Sequence, residues 1–206
     1  MNNRIPLFPL NIVVFPFSRI PLHIFEEKYK LMIVKCLADN SGFGIVSILK
    51  KHLSKVGSFV KITGVLNKYP NGEMDIVIKG MERFKVMNTE KHSDGYLVGT
   101  VEEYEDVSRE YSLDSLDELK NNFISILTKI NFKLEEAFWE DYRNTELKSY
   151  KIAEKSGLTI EQQQELLSLK KENERIDYLL NHLRGLEKKL KDNIATGAII
   201  MGDGYL

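Results

Sequence analysis

The stretch IPLFPLNIVVFPFSRIPLHIF, residues 5–25, is strongly apolar and is interrupted by prolines at positions 6, 9, 16 and 21. Proline fixes φ and has no amide proton, so this spacing excludes a continuous helix and favours extended backbone at a sheet edge or bulge. A secretory leader would need a basic start, an unbroken apolar run and a small-residue cleavage site. No part of the chain reaches the roughly 18 consecutive apolar residues of a membrane helix.

Composition limits the class of protein. A chain of 206 residues can hold one large domain or two small ones. Its 29 basic and 30 acidic residues give a formal charge of -1, which provides no global attraction to nucleic acid or to acidic membranes. The single cysteine, Cys36, cannot form an internal disulfide or a cysteine zinc cage. We expect a cytoplasmic protein with no membrane partner.

The first half of the chain is typical of a β-rich domain. Asn71-Gly72 predicts a tight hairpin turn, because Asn and Gly tolerate positive φ. Gly80 predicts a bulge or a close approach of two backbones. A helix is predicted over residues 26–38, with Tyr29, Ile33 and Leu37 at helical spacing. Strands are predicted over residues 43–49, 58–69, 74–79, 82–86 and 96–101.

The second half has helical periodicity. Residues 113–130 carry one apolar face that includes Leu113, with a capping box predicted at Ser115-x-x-Glu118. A second helix is expected to end near Gly157, a third to start at the capping box Thr159–Gln162, and a longer one to carry Ile176 to Leu190. The predicted domains are residues 1–108, residues 109–192 and an apolar, glycine-rich tail, 193–206. The tail is expected to be a flexible end, with docking on its own domain or a neighbour as the alternative.

No motif for catalysis is visible. The chain lacks a phosphate-binding glycine loop and a nucleophile elbow. Its four histidines have no metal-ligand spacing, and His23 is expected to be a hydrogen-bonded structural residue. Cys36 is expected to be a small buried side chain, and Glu135-Glu136 a solvated helix surface. We therefore predict no catalytic residues, no metal and no cofactor.

Several motifs together resemble the Lon N-terminal substrate-binding domain family. They are Pro6-Leu-Phe-Pro-Leu10, Val14-Phe-Pro16, Pro21-Leu-His-Ile-Phe-Glu26, Tyr29, Phe43-Gly-Ile-Val46, residues 156–167 and residues 174–180. The resemblance implies an α+β fold, a PUA-like β pseudobarrel followed by a C-terminal helical bundle, with residues 5–25 forming the first barrel strand and its crossover. In the full protease an ATPase module and a Ser-Lys peptidase module follow this domain. Neither is present here, so we expect a free-standing, non-catalytic Lon-domain protein.

The resemblance also implies a function, which is the binding of unfolded or partly folded polypeptides in protein quality control. A separate protease or chaperone is a possible partner. Binding is expected in an apolar groove near the junction of barrel and bundle, or through main-chain hydrogen bonds to an extended peptide. The candidate peptide-binding residues are Phe17, Tyr69, Phe138 and Trp139. Close relatives often have a small residue in place of Phe17, and burial is the alternative for Phe138 and Trp139.

Two other function classes remain open from the sequence. RNA binding is the alternative, because PUA-like barrels also occur in RNA-binding proteins. It would require basic residues to gather on one face, and Lys50, Lys51, His52, Lys55 and Lys68 are the candidates. The balanced overall charge argues against nucleic acid as a partner. A stand-alone enzyme would need a clustered acid–base pair in a cleft, which the sequence does not predict.

Overall fold

The computed structural model describes residues 3–192 and divides the chain after Glu105 into two compact units. The predicted tail, residues 193–206, lies outside the described residues. The first unit contains β1 (Arg4–Leu10), β2 (Arg19–Ile24), α1 (Glu27–Ala38), β3 (Gly42–Leu49), β4 (His52–Leu53), β5 (Val56–Lys68), β6 (Met74–Lys91) and β7 (Leu97–Glu103). The second unit contains α2 (Leu113–Lys129), α3 (Glu136–Asn144), α4 (Lys148–Ala153), α5 (Ile160–Ser168) and α6 (Glu172–Asp192). The α+β class is confirmed.

The strands of the first unit pair in a closed ring. The order is β1–β7–β6–β5–β3, and the ring closes because β1 pairs with β7 on one side and with β3 on the other. The β1–β3 pair is parallel and the other pairs of the ring are antiparallel. The assignment of this ring to the PUA-like type stays a prediction.

The expectation that the early prolines mark a sheet edge is confirmed for Pro21, whereas Pro6 and Pro9 lie at positions where a strand inside the sheet is paired on one side only. Pro21 lies in β2, which pairs with β6 alone. Pro6 and Pro9 lie in β1, an interior strand of the ring. They are tolerated because β1 has one partner at each of them, β7 at Pro6 and β3 at Pro9. A missing amide proton can therefore face the side on which the strand has no partner.

Gly80 is the point at which β6 changes neighbours. Before Gly80, β6 lies between β2 and β5; beyond it, β7 takes the place of β2. A Cβ atom at Gly80 would lie 2.1 Å from the carbonyl oxygen of Phe15, so no side chain fits. The predicted close approach is confirmed. The turn at Asn71-Gly72 is also confirmed, with φ +82° at Gly72.

Helix α1 packs its buried face on the sheet. Tyr29, Met32 and Ile33 join the larger apolar cluster of the first unit, which includes Ile76 and Ile78 of β6. Two lysines on the helix contact the hairpin turns. Lys30 Nζ donates to the Asn71 carbonyl at 2.9 Å, and Lys35 forms an ion pair with Asp94. The helix therefore holds the tips of both the β5–β6 and the β6–β7 hairpins.

The second unit has the predicted helical core, with two corrections. The cap of α2 is Ser112, whose hydroxyl accepts from the Ser115 amide, so the capping box predicted at Ser115 is wrong. Leu113 is 71% exposed, because it occupies the first turn before the apolar stripe of α2 reaches the core. The capping box between Thr159 and Gln162 at the start of α5 is confirmed.

A buried ionic network ties the start of the second unit to α6. The guanidinium of Arg175 is fully buried and donates to both carboxylate oxygens of Asp106, at 2.8 and 2.9 Å. Its Nε donates to Glu172 at 2.9 Å, and Glu172 also accepts from the amide and hydroxyl of Ser149. Burial lowers the pKa of Arg175, but the hydrogen bond to Asp106 and the nearby Tyr150 and Glu172 outweigh it, so the pKa is raised.

Loss of the Arg175 charge would remove the buried guanidinium that the carboxylates of Asp106 and Glu172 share. We expect Arg175→Met to lower the free energy of unfolding by about 3–5 kcal/mol, as when one member of a buried ion pair is removed. Urea unfolding followed by circular dichroism measures the change.

A matched control is Arg184→Met, because Arg184 also lies on α6 and forms an exposed ion pair, with Glu118 of α2. Its expected cost is below about 1 kcal/mol. Equal costs for the two variants would contradict the importance of the buried network.

Candidate functional site

The four predicted peptide-binding residues fall in two groups. Phe17 and Tyr69 belong to the first unit and are 42% and 41% exposed. Phe138 and Trp139 belong to α3 in the second unit, where their rings meet edge to face at 5.2 Å. Phe138 is 8% exposed and Trp139 is partly buried, and both rings contact Phe123 of α2. This aromatic cluster serves packing in α2 and α3; a role of Phe138 and Trp139 in peptide binding stays a prediction.

Phe17 lies in a turn with a left-handed backbone. Its φ is +71°, a value that bulky residues rarely adopt. The turn is held on both sides of Gly80, because the Phe17 amide donates to the Gly80 carbonyl at 2.8 Å and the Gly80 amide donates to Ser18 at 2.9 Å. A bulky aromatic side chain is therefore exposed at a position where a smaller residue would have less backbone strain.

Tyr69 follows the end of β5 and belongs to a polar row across three strands. His23 of β2, Asp75 of β6 and Asn67 of β5 are cross-strand neighbours. Asp75 accepts hydrogen bonds from the Tyr69 hydroxyl at 2.7 Å and from the Asn67 amide at 2.8 Å, and lies 2.7 Å from His23 Nδ1. These bonds, with that of Tyr69 the largest, lower the pKa of Asp75 to about 2.

The same network raises the pKa of His23, chiefly through its hydrogen bond to Asp75, with Glu73 at 3.4 Å adding to the effect. The prediction of a hydrogen-bonded structural histidine is correct, although the residue is exposed on the outer face of the sheet. The signal was the alternation of β2, in which Ile20 and Ile24 are buried and Arg19 and His23 are exposed.

A basic row crosses the same three strands four residues further along β6. Arg19 of β2 and Lys61 of β5 both lie opposite Lys79 of β6. Sequence reasoning missed this row, because the three residues are far apart in the chain and only the strand register brings them together. Between the basic row and the polar row lie Pro21 and Val77.

The outer half of β5 has an open edge. Strand β3 pairs with β5 only over Ser58–Lys61, and within residues 3–192 no strand pairs with that side of residues 62–68. Val65 and Leu66 on this segment are 36% and 61% exposed. Two register shifts, at Thr63 and Leu66, add bulges that increase the local twist. The edge therefore offers unpaired backbone groups beside exposed apolar side chains.

Groups suited to covalent or metal chemistry are not assembled in the described part of the chain. The thiol of Cys36 is buried against the Gly42 carbonyl, and burial raises its pKa, as expected for a packing residue. Over residues 3–192, no cluster of three or more His, Cys, Asp or Glu side chains could hold a metal ion. Nor does that range include a helix long and apolar enough to cross a membrane.

The candidate RNA-binding lysines lie apart. Lys55 precedes β5 and Lys68 ends it, so about 40 Å of extended strand separates them. Lys50 and Lys51 occupy the turn between β3 and β4, both with positive φ. The strand register thus does not collect these residues in one row, in contrast to Arg19, Lys61 and Lys79.

Comparison with known proteins gives consistent results. The chain is 25% identical over 208 residues to Lon protease 1 of Bdellovibrio bacteriovorus, and 25% identical over 197 residues to Lon protease of Buchnera aphidicola. These matches cover 93% and 85% of this chain but only 26% and 24% of the relatives. The chain thus spans about a quarter of the length of the curated relatives it matches.

Solved structures agree in fold. A Lon N-terminal domain protein from Xanthomonas campestris aligns with a TM-score of 0.68 and 26% identity, over 86% of this chain and 97% of that one. The N-terminal domain of a Mycobacterium avium complex Lon protease aligns with a TM-score of 0.65 and 18% identity, over 88% and 98% of the two chains, and shows the likeness of fold alone.

The family model that matches the chain describes the substrate-binding domain of the ATP-dependent protease La (LON). It extends over residues 4–185 of the 206 residues, so it includes both units and every element from β1 to α5, together with most of α6. The resemblance noted in the motifs of residues 5–46 and 156–180 is therefore confirmed, and the chain belongs to the Lon substrate-binding domain family.

Proposed function

We propose that this chain is a non-catalytic module that binds unfolded or partly folded polypeptide segments in the cytoplasm. Membership of a substrate-binding domain family supports a binding role. The observation that carries the proposal is the open outer edge of β5, which lies beside the exposed side chains of Val65, Leu66 and Tyr69. A separate protease or chaperone that receives the bound polypeptide is part of the same proposal.

An open strand edge fits an extended polypeptide. Its unpaired amide and carbonyl groups can form a ladder with the main chain of an added strand, and neighbouring side chains contribute apolar contact. The bulges at Thr63 and Leu66 twist this edge, and such twisting disfavours pairing with a second rigid sheet. A flexible segment can follow the twist, so the edge is better suited to unfolded chains than to folded sheet proteins.

The class of ligand can be tested by fluorescence anisotropy. One labelled protein is offered in unfolded and native forms, beside a labelled single-stranded RNA of similar length, at two salt concentrations. We expect saturable binding of the unfolded form, weaker binding of the native form and little salt dependence for an apolar, hydrogen-bonding segment. Binding of RNA alone, with affinity that falls steeply as salt rises, would replace this proposal by the RNA-binding alternative.

The position of the site can be tested at Leu66. We expect Leu66→Ser to weaken binding of the unfolded polypeptide by about five- to tenfold, because a leucine contact buried on binding contributes about 1–1.5 kcal/mol. Leu113→Ser is the matched control, since Leu113 is an equally apolar, 71% exposed residue of the helical unit. Equal losses for the two variants would place the site elsewhere.

Binding of the polypeptide as an added strand on β5 can be tested separately. Two versions of a short binding peptide can be made, one N-methylated at the odd-numbered residues and the other at the even-numbered residues. Their affinities should differ, because only the amides on one edge of an added strand donate to β5. Equal binding of both versions would argue against a backbone ladder.

A further inference from the structure

The basic row on the outer face of the first unit is an electrostatic conflict within the folded chain. Arg19, Lys79 and Lys61 are direct cross-strand neighbours on β2, β6 and β5. Adjacent strands lie about 4.8 Å apart, so three cationic side chains start from a span of about 10 Å. Like charges directly opposite each other destabilise a sheet. The row therefore has a cost in the free protein that an anionic partner would remove.

Nothing within the described residues neutralises this row. Of the ion pairs that the structure shows in residues 3–192, none includes Arg19, Lys61 or Lys79. Other lysines of the first unit are paired, as Lys30 is with Glu27 and Lys35 with Asp94. The whole chain has 29 basic and 30 acidic residues and is nearly neutral, so the positive charge of the row is a local feature.

Phe17 adds an apolar group at one end of the row. It precedes Arg19 by two residues, and its amide bonds to the carbonyl of Gly80, the residue after Lys79. An exposed bulky side chain with φ +71° has a conformational cost, and such outliers occur preferentially at binding sites. On the other side of the row from Phe17 the surface is shallow, because Pro21, Val77 and Gly64 are neighbours there and a Cβ atom at Gly64 would meet no atom within 4 Å.

We propose that Arg19, Lys61, Lys79 and Phe17 form a docking surface for polypeptide segments that combine acidic residues with a neighbouring apolar one. This inference rests on the proposed function and names the class of segment that is preferred. Carboxylates of the segment would contact the three cations, and an apolar side chain would cover Phe17. No side chain protrudes at Gly64, so the shallow surface at Gly64 and Val77 leaves room for the segment between the basic row and the edge of β5.

Charge placement favours an acidic polypeptide over a nucleic acid. The row spans only three residues. Asp75 lies about 13 Å from Lys79 along β6, and Glu73 lies just before that strand. A nucleic acid carries a phosphate at every nucleotide, so one that continued along this face would meet these carboxylates. A polypeptide can concentrate its carboxylates opposite the cations and present neutral residues elsewhere.

The test compares two labelled peptides of equal length that differ only in replacement of Asp and Glu by Asn and Gln. We expect the acidic peptide to bind about tenfold more tightly at low salt, because each of three exposed ion pairs contributes about twofold, and the difference should shrink at higher salt. The variant Arg19→Gln/Lys61→Gln/Lys79→Gln should lose this preference. It should also melt at an equal or higher temperature, since a repulsion has been removed.

The matched control is Lys50→Gln/Lys51→Gln/Lys55→Gln, which removes the same charge from another part of the first unit. It should keep the preference for the acidic peptide. Equal binding of both peptides to the unaltered protein would overturn the inference but not the proposed polypeptide binding. If the protein bound neither peptide and no unfolded protein, the inference and the proposed function would both be overturned. Displacement of the acidic peptide by RNA at equal charge concentration would also overturn the inference.

The role of Phe17 is tested by Phe17→Asn, because asparagine adopts positive φ readily and preserves the turn. We expect the affinity for the acidic peptide to fall about three- to tenfold through loss of apolar contact, while salt dependence is unchanged. An unchanged affinity would remove Phe17 from the docking surface.

Discussion

The architecture of the first unit depends on the missing side chain at Gly80. Strand β6 passes the Phe15 carbonyl so closely at this residue that a Cβ atom would lie 2.1 Å from the oxygen. At this passage β6 exchanges β2 for β7 as its neighbour, so the strand pairs with β2 before Gly80 and with the ring strand β7 beyond it. The close passage also fixes the turn that carries Phe17. The change of neighbours along β6 and the turn that carries Phe17 thus share one backbone contact.

The second unit depends on a different kind of interaction. Arg175 connects Asp106, at the beginning of the unit, with Glu172 and the α5–α6 connection, and the Val107 amide adds a backbone bond to Lys170. A buried pair of charges gives little net stability compared with apolar packing, but it tolerates few alternative geometries. In this protein the network sets where the chain enters the helical unit, whereas apolar side chains supply the cohesion.

The sequence was most informative where local chemistry decides structure. The Asn71-Gly72 turn, the cap at Thr159 and the periodicity of α1 and α6 depend on neighbours within a few residues, and all were predictable. The partners of Pro6 and Pro9 were not, because ring closure is a long-range property of β1. The true cap, Ser112, was missed since both serines suit that role and only tertiary packing of α2 selects one.

The candidate surface followed the same rule. Phe17 could be identified as an aromatic residue in a turn and Tyr69 as one at the end of a predicted strand, and both are exposed. The polar row around Asp75 and the basic row around Lys79 could not, because each joins residues from three strands whose register depends on the bulges of β5. Binding chemistry distributed across strands leaves little trace in the order of residues.

The hairpin of β5 and β6 extends beyond the ring, because β3 stops at the level of Lys61 while β5 continues to Lys68. Met74, Ile76 and Ile78 of β6 still belong to the buried cluster of the first unit, so only the turn lies beyond the core. Insertion or loss of a residue pair at the Pro70–Gly72 tip would change the exposed edge by about 7 Å while the inward and outward alternation of every other residue is retained. The reach of such a domain can vary during evolution in two-residue steps at this tip, where the cost is the contact between Lys30 and the Asn71 carbonyl and the buried side chains of β6 keep their places.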